Sequence, residues 1–248
     1  QYFFIAQVSL FAIGLLLLTL RGPWPQAQEF HHFADQRGFF FIPNFMDVLT
    51  NGAFAIVGSL CLIRTSNMPS IPGKISWQFF FAGMTLVAFG SSYYHLDPYN
   101  FTLMWDRLPM TISFMAVFSA LLTELYWPRF ENYFLAPLII IGLTSVIYWY
   151  WSETQHFGDL RFYAFVQGFP LTVVPFAFLF GDRRKGHYQF ILLSLVFYVL
   201  AKITEVYDQS LLHLTGNIIS GHSIKHLLAA MGGVGPLFML HKRHFSKT

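Results

Sequence analysis

Charged side chains are scarce in this sequence. Lys, Arg, Asp and Glu make up only 11% of its 248 residues, whereas a soluble domain carries about a quarter charged residues. Hydrophobic residues make up 55% of the chain. This composition excludes a soluble or secreted domain and predicts an integral membrane protein. The formal net charge is only +3, and the basic residues lie between apolar segments, so no nucleic-acid partner is expected.

Cysteine is nearly absent as well. Cys61 is the only one, and it lies inside an apolar segment. An intramolecular disulfide is therefore excluded, and any metal site must use His, Asp or Glu as its ligands.

Long apolar segments are what the sequence does contain. A membrane-spanning helix needs roughly 20 mostly apolar residues, and eight segments separated by polar, Pro or Gly residues meet this requirement. The sequence thus predicts an all-α membrane protein with a single membrane domain. Residues 23–43 are too polar to span and are expected to lie at the membrane interface. The predicted spans are residues 2–20, 45–62, 75–95, 106–125, 133–151, 162–180, 188–206 and 219–240.

The basic residues predict the orientation in the membrane. Eight crossings place both termini on one side, and the loops on that side hold nine basic residues against three on the other. By the positive-inside rule, the termini and a tail of residues 242–248 are expected to be cytoplasmic. The nine are Arg64, Lys74, Arg129, Arg183, Arg184, Lys185, Lys242, Arg243 and Lys247, and the three are Arg21, Arg37 and Arg161.

Ionisable residues inside the membrane are costly and usually mark function. In this topology most of them lie at the non-cytoplasmic ends of the predicted helices. Lys202 and Glu205, three residues apart, are expected to neutralise each other. The other residues at this level are Asp47, Asn51, Ser91, His95, Asp106, Asp208, His222 and His226.

The spacing of the histidines favours a metal site. His222 and His226 are four residues apart, which places both rings on one face of a helix, about 5–6 Å apart. Ser91 and His95 have the same spacing at the end of another predicted helix. His95 thus offers a third imidazole at the same depth in the membrane. Three neutral imidazoles leave the fourth tetrahedral position of a catalytic zinc ion open. The competing interpretation is a buried polar network that joins the helices without a metal.

These residues, in this order, resemble the alkaline ceramidases. Their superfamily of seven-helix membrane hydrolases also includes the adiponectin-type receptors and the Per1-like proteins. The shared pattern is Ser-x3-His ending one helix, Asp opening the next, and His-x3-His opening the last. Here it falls in SSYYHLDPYN, MWDRLPMTI and SGHSIKHLLAA, which are similar to bacterial members in particular. The resemblance covers a seven-helix core over residues 44–241 and leaves residues 1–22 as an additional N-terminal helix.

The resemblance implies a zinc-dependent amidohydrolase that cleaves the N-acyl bond of a ceramide-like lipid, in a bacterial inner membrane. His95, His222 and His226 would bind Zn²⁺. Asp106 would act as general base and then general acid for an attacking water activated by the zinc. Ser91 would hydrogen-bond the developing oxyanion or orient the water.

The sequence departs from the family in one region. Alkaline ceramidases carry an acidic D-W-x-E-x-N stretch that, with a later Glu, holds calcium, and this stretch is absent here. In NFMDVLTN, Asn44 stands at the family's Glu position, Asp47 stands at its Asn position and Asn51 matches a family Asn. Calcium is therefore not expected. A structural role at the start of the second helix is favoured over an altered calcium site formed by Asp35, Asp47 and Asn51.

Four other functions use similar residue types. An ester-cleaving lipid hydrolase would use the same residues, and a receptor of the adiponectin type would keep the same zinc site. A di-iron hydroxylase needs about eight ligands in several histidine boxes, whereas only one His-x3-His occurs here. A rhomboid-like protease is disfavoured because Ser220 in IISGH directly precedes the helix that carries the proposed metal ligands.

Overall fold

The computed structural model describes residues 2–180 and 187–245. Within these ranges the chain forms eleven α-helices, one 3-10 helix over Gln28–His31, and no strand beyond an isolated bridge between Phe39 and Ile42. The all-α prediction is thus confirmed. The α-helices are α1 Tyr2–Arg21, α2 Phe45–Thr50, α3 Gly52–Ser66, α4 Lys74–Leu96, α5 Asn100–Leu125, α6 Phe130–Thr154, α7 Arg161–Phe180, α8 Gln189–Val206, α9 Asp208–Leu214, α10 Gly221–Gly232 and α11 Val234–Phe245.

Six helical segments of the described chain are long and apolar enough to cross a membrane, which makes this a multi-pass membrane protein. Of the other two predicted spans, α1 includes the shorter apolar stretch Ser9–Arg21. Helix α4 is long enough to span but is not among the six, and it has fully buried side chains such as Trp77 on one face and exposed ones such as Phe89 on another. The six segments are Phe45–Ser66, Asn100–Leu125, Phe130–Thr154, Arg161–Phe180, Gln189–Val206 and Gly221–Arg243.

Two predicted helices are interrupted. The second divides into α2 and α3 at Asn51, and the last divides into α10 and α11 at Gly233. The second interruption has a local cause. Pro236 has no backbone N–H to donate to the carbonyl of residue 232, and it lies in the first turn of α11, where a helix accommodates proline readily.

Helix α4 packs between α3 and α5. Its contact with α5 is close because Gly90 has no side chain: a Cβ atom there would lie 2.2 Å from the carbonyl oxygen of Trp105. Gly221 similarly brings the start of α10 against α8, since its Cβ would lie 2.1 Å from the Thr204 carbonyl oxygen. These two contacts place the residues that follow the glycines, Ser91 and His222, next to neighbouring helices.

The ends of the chain differ from the prediction. The last helix continues to Phe245, so the predicted tail of residues 242–248 begins inside α11. Four of the basic residues that predict the orientation, Arg183, Arg184, Lys185 and Lys247, lie outside the described residues. The cytoplasmic location of the termini stays a prediction.

Candidate metal centre

The three predicted histidines form a buried cluster, which we call the histidine cluster. His95 comes from the end of α4, whereas His222 and His226 come from the first two turns of α10. Each pair of rings has its centroids 4.9 to 5.0 Å apart. One potential ligand atom from each residue lies within 4.8 Å of the others. Among the described residues, this is the only group of three or more His, Cys, Asp or Glu side chains that could hold a metal ion.

The local structure around α10 fixes two of these histidines. Ser220 caps the helix by accepting a hydrogen bond from the Ser223 backbone N–H (3.0 Å). The His222 backbone N–H donates to Asp208 Oδ1 at 2.7 Å. Both bonds satisfy N–H groups that the first turn of a helix leaves free. The start of α10 is therefore held rigidly where the histidines project.

The hydrogen bonds of His226 determine which of its nitrogens is free for a metal. Nδ1 of His226 lies 3.0 Å from the Thr50 hydroxyl. Since that hydroxyl donates its single proton to the Met46 carbonyl oxygen (2.8 Å), it must accept from Nδ1–H. The lone pair is then on Nε2, which is the arrangement that an orienting hydrogen bond gives a metal-ligating histidine.

The other two histidines differ in their surroundings. Nδ1 of His95 is buried and has no hydrogen-bond partner, a costly state that a metal ion would relieve. Nε2 of His222 lies 2.8 Å from the Lys225 ammonium, which also donates to Glu205 Oε1 at 3.0 Å. Glu205 thus offers Lys225 another partner when His222 binds a cation. The three histidines of the cluster together fit a metal ion that prefers nitrogen ligands, such as zinc.

The structure also bears on Ser91 and Asp106, the predicted catalytic residues. Their side chains lie close to each other, and both line one cavity of about 340 Å³ together with His226. Asp106 lies inside α5, six residues after its start at Asn100, and not at its first turn as the sequence predicts. The rest of the cavity wall is mostly apolar and includes Met84, Val87, Phe114, Val117, Val174 and Ile191.

The segment 23–43 covers the histidine cluster. Phe33 is buried, and its ring centroid lies 4.5 Å from that of His95 and 4.8 Å from that of His222. The Ala34 backbone N–H donates to Asp208 Oδ2 at 3.0 Å, so the segment is tied to the start of α9. We call residues 23–43 the cap segment. Phe33 shields the imidazoles from water, a role for which its sequence position carries no signal.

Of the three residues predicted for an altered calcium site, Asp35 is ion-paired, whereas Asp47 Oδ2 and the side-chain amide of Asn51 are buried without a hydrogen-bond partner. Asp35 is ion-paired with Arg37 at 2.6 Å, and hydrogen bonds from the Arg37 side chain hold the pKa of Asp35 below its usual value. Asp47 accepts a hydrogen bond from the Ser223 hydroxyl at 2.6 Å, which joins α2 to α10. Asn44 does not cap α2 with its side chain but donates to the His95 carbonyl oxygen at 2.8 Å.

Glu205 has the partner that the sequence predicts. Lys202 Nζ lies 2.8 Å from Glu205 Oε2, and Lys225 makes a second ion pair with the same carboxylate. The role of Lys225 beside His222 was not predicted. Its position three residues after His222 on a helix was the available signal, since that spacing puts the two side chains on one face.

No protein-family model matches the chain, and a comparison with curated proteins finds no match either. The resemblance to the alkaline ceramidases therefore stays a prediction from motifs. What the described structure establishes is a helical membrane protein with a buried group of three histidines that could hold a metal ion.

Proposed function

We propose that this protein is a zinc-dependent membrane amidohydrolase that cleaves the N-acyl bond of a ceramide-like lipid, with the site toward the non-cytoplasmic face. The observation that carries the proposal is the joint position of two groups. The buried histidine cluster adjoins a largely apolar cavity, and His226 lines this cavity with Ser91 and Asp106.

His95, His222 and His226 would hold the zinc ion. When bound, zinc supplies a Lewis acid that activates water for attack on an acyl carbonyl group. The burial of all three imidazoles and the cover by Phe33 exclude bulk water from the cluster.

Asp106 handles the proton in this mechanism. Its carboxylate takes the proton from the attacking water as the bond from the water oxygen to the acyl carbon forms. It then gives the proton to the amide nitrogen as the carbon–nitrogen bond breaks, which releases a fatty acid and a long-chain amine. Ser91 lies beside Asp106 in the cavity wall, where its hydroxyl can orient the carboxyl group or the attacking water. The apolar part of the cavity receives the acyl chain.

The test combines metal analysis with lipid hydrolysis for the purified protein and the variant His222→Ala. We expect about one zinc ion per wild-type chain, little zinc in the variant, and a roughly 1,000-fold loss of amide hydrolysis, corresponding to several kcal/mol of lost stabilisation. His213→Ala is the matched control, because His213 is exposed on α9 and its side chain is hydrogen-bonded to the neighbouring Gln209.

Equal zinc content or equal turnover in wild type and His222→Ala would contradict the proposal. An ester with the same chains should be assayed beside the amide. Cleavage of the ester alone would identify the ester-cleaving hydrolase, and bound zinc without turnover of either lipid would favour the receptor.

A further inference from the structure

Arg107 is a buried cation that the proposed mechanism does not use. It follows Asp106 on α5, and only 6% of its surface is exposed. Its guanidinium lies 4.2 Å from the ring centroid of Trp149 and 4.7 Å from that of Tyr163. No described carboxylate lies within ion-pair distance of it. A charged group buried within a membrane-spanning helix normally has a partner.

The hydrogen bonds of Arg107 are also incomplete. A guanidinium has five N–H donors. Nη2 of Arg107 donates to Gln26 Oε1 at 2.6 Å, but Nη1 is buried and has no partner. Glu153 does not supply one. Its Oε1 accepts from the Gln26 backbone N–H at 2.7 Å and from the Trp149 indole N–H at 3.1 Å. Nη1 of Arg107 therefore has no hydrogen-bond acceptor among the described residues.

The charged side chains that line the cavity beside Arg107 favour an anion. Arg107 lines the same cavity as Ser91, Asp106 and His226. The other charged side chains in its wall are Lys202, Lys225 and Glu205, and Glu205 is ion-paired with both lysines. Three cations thus face two carboxylates, and only Arg107 among these cations has no carboxylate partner.

We propose that Arg107 binds the anionic oxygen group, a carboxylate or a phosphate, of a lipid whose apolar chain occupies the same cavity. A planar guanidinium suits both groups, because its paired N–H donors match two anionic oxygens. The inference rests on the proposed function and narrows it, since the substrate becomes an N-acyl lipid that carries a negative charge near its head. The aromatic rings hold the guanidinium plane in position for this contact.

The test is a binding measurement on metal-free protein. Chelator-treated protein in a neutral detergent is titrated by calorimetry with dodecyl phosphate, dodecanoate and dodecanol, which share one chain length. We expect at least one of the two anions to bind about 10- to 100-fold more tightly than the alcohol, as expected for charge-assisted hydrogen bonds. The better anion identifies which of the two groups the site takes. Equal affinity for the alcohol and both anions would overturn the inference.

Two variants separate binding from folding. Arg107→Gln is expected to lose the preference for anions. Gln26→Glu keeps the shape of the side chain but gives the Arg107 guanidinium a carboxylate partner within the protein. This variant should therefore also lose the preference for anions, and it should be at least as stable as wild type. Retention of the preference in both variants would overturn the inference, even if Arg107→Gln proved unstable.

Arg21→Gln is the matched control. Arg21 lies 4.2 Å from the Trp24 ring centroid, the same distance as between Arg107 and Trp149, but it is exposed. The preference for anions should persist in this variant, and its loss would contradict a specific role of Arg107. Because the titration is done without metal, it succeeds or fails independently of zinc binding and lipid hydrolysis.

Discussion

Two buried polar clusters lie near opposite ends of helix α4. One surrounds Glu131, which accepts hydrogen bonds from the backbone N–H groups of Gly73 and Ser76, both at 2.9 Å. We call Glu131 with Ser76, Ser119 and Thr123 the Glu131 cluster. The other is the histidine cluster, which includes His95. Ser76 and His95 are 19 residues apart on the helix, or about 28 Å at 1.5 Å per residue.

The two clusters differ in how completely their hydrogen bonds are satisfied. Both oxygens of Glu131 have partners, since Oε2 also accepts from the Ser76 hydroxyl at 3.0 Å. The negative charge lies at the start of α4, where a helix favours an anion. In the histidine cluster, by contrast, Nδ1 of His95 has no partner. The comparison indicates that the Glu131 cluster stabilises helix packing by itself, whereas the histidine cluster is incomplete without a ligand.

The largest expected difference in stability comes from Glu131→Ala. The substitution leaves the N–H groups of Gly73 and Ser76 buried without acceptors, which should lower the free energy of unfolding by about 3 kcal/mol. Zinc content per folded chain should stay as in wild type. Denaturant unfolding in mixed micelles and metal analysis measure the two effects. Glu131→Gln, which keeps one acceptor oxygen, should lose less stability. A loss of zinc comparable to that of His222→Ala would contradict the separation of the clusters.

The parts of the structure that local patterns determine were predictable. Apolar length predicted the six described segments that could cross a membrane, whereas the count of eight spans stays a prediction. The four-residue spacing of His222 and His226 predicted that their rings meet. The third ligand, His95, was predictable because few polar residues are tolerated inside a membrane. Polar residues at the same depth are therefore expected to lie together. The depth of Asp106 was predicted less well, because α5 begins earlier, at Asn100, where Thr102 bonds back to the Tyr99 backbone.

The parts that depend on contacts between distant residues were not predictable. Glu131 accepts hydrogen bonds from the backbone N–H groups of Ser76 and Gly73 at the start of α4. These residues lie 55 and 58 positions earlier in the chain. Phe33 packs on His95 and His222 from a polar segment that the sequence assigns only to the interface. A single sequence carries no periodicity or motif that indicates such pairs, since each depends on how the helices pack.

A smaller effect should follow from Thr50→Val, which tests how the histidine cluster is oriented. The substitution keeps the shape of the side chain but removes the acceptor for Nδ1–H of His226. Loss of such a partner lowers metal affinity by about 10- to 100-fold. Competition with a zinc chelator of known affinity measures the change, and Thr50→Ser, which keeps the hydroxyl, is the control. Unchanged affinity in Thr50→Val would mean that Thr50 does not orient the ligand.

The smallest effect concerns the cap segment and its dependence on pH. Arg37 donates to Asp35 from its backbone N–H and its guanidinium, at 2.6 to 3.2 Å, and these bonds lower the pKa of Asp35. The carboxylate therefore stabilises the fold above the ordinary aspartate pKa of about 4, and this contribution is lost as the pH falls through the lower pKa of the folded state. Since the side chain of Arg37 is 56% exposed, the contribution should be only about 0.5 to 1 kcal/mol.

Hydrogen exchange can compare two regions in one experiment. These are the cap segment, which lies over the His95 end of α4, and the opposite end of that helix. After correction for intrinsic exchange rates, protection of residues 33–37 should fall about 2- to 5-fold between pH 6 and pH 3, in line with that energy. Asp35→Asn should already have the lower protection at pH 6. Residues 77–80, near the opposite end of α4, are the internal reference, because their backbone N–H groups bond within the helix and not to a carboxylate. Equal loss of protection at both ends would indicate general unfolding and not release of the cap segment. Loss confined to residues 33–37 would show that the cover over the histidine cluster opens separately from the helices beneath it.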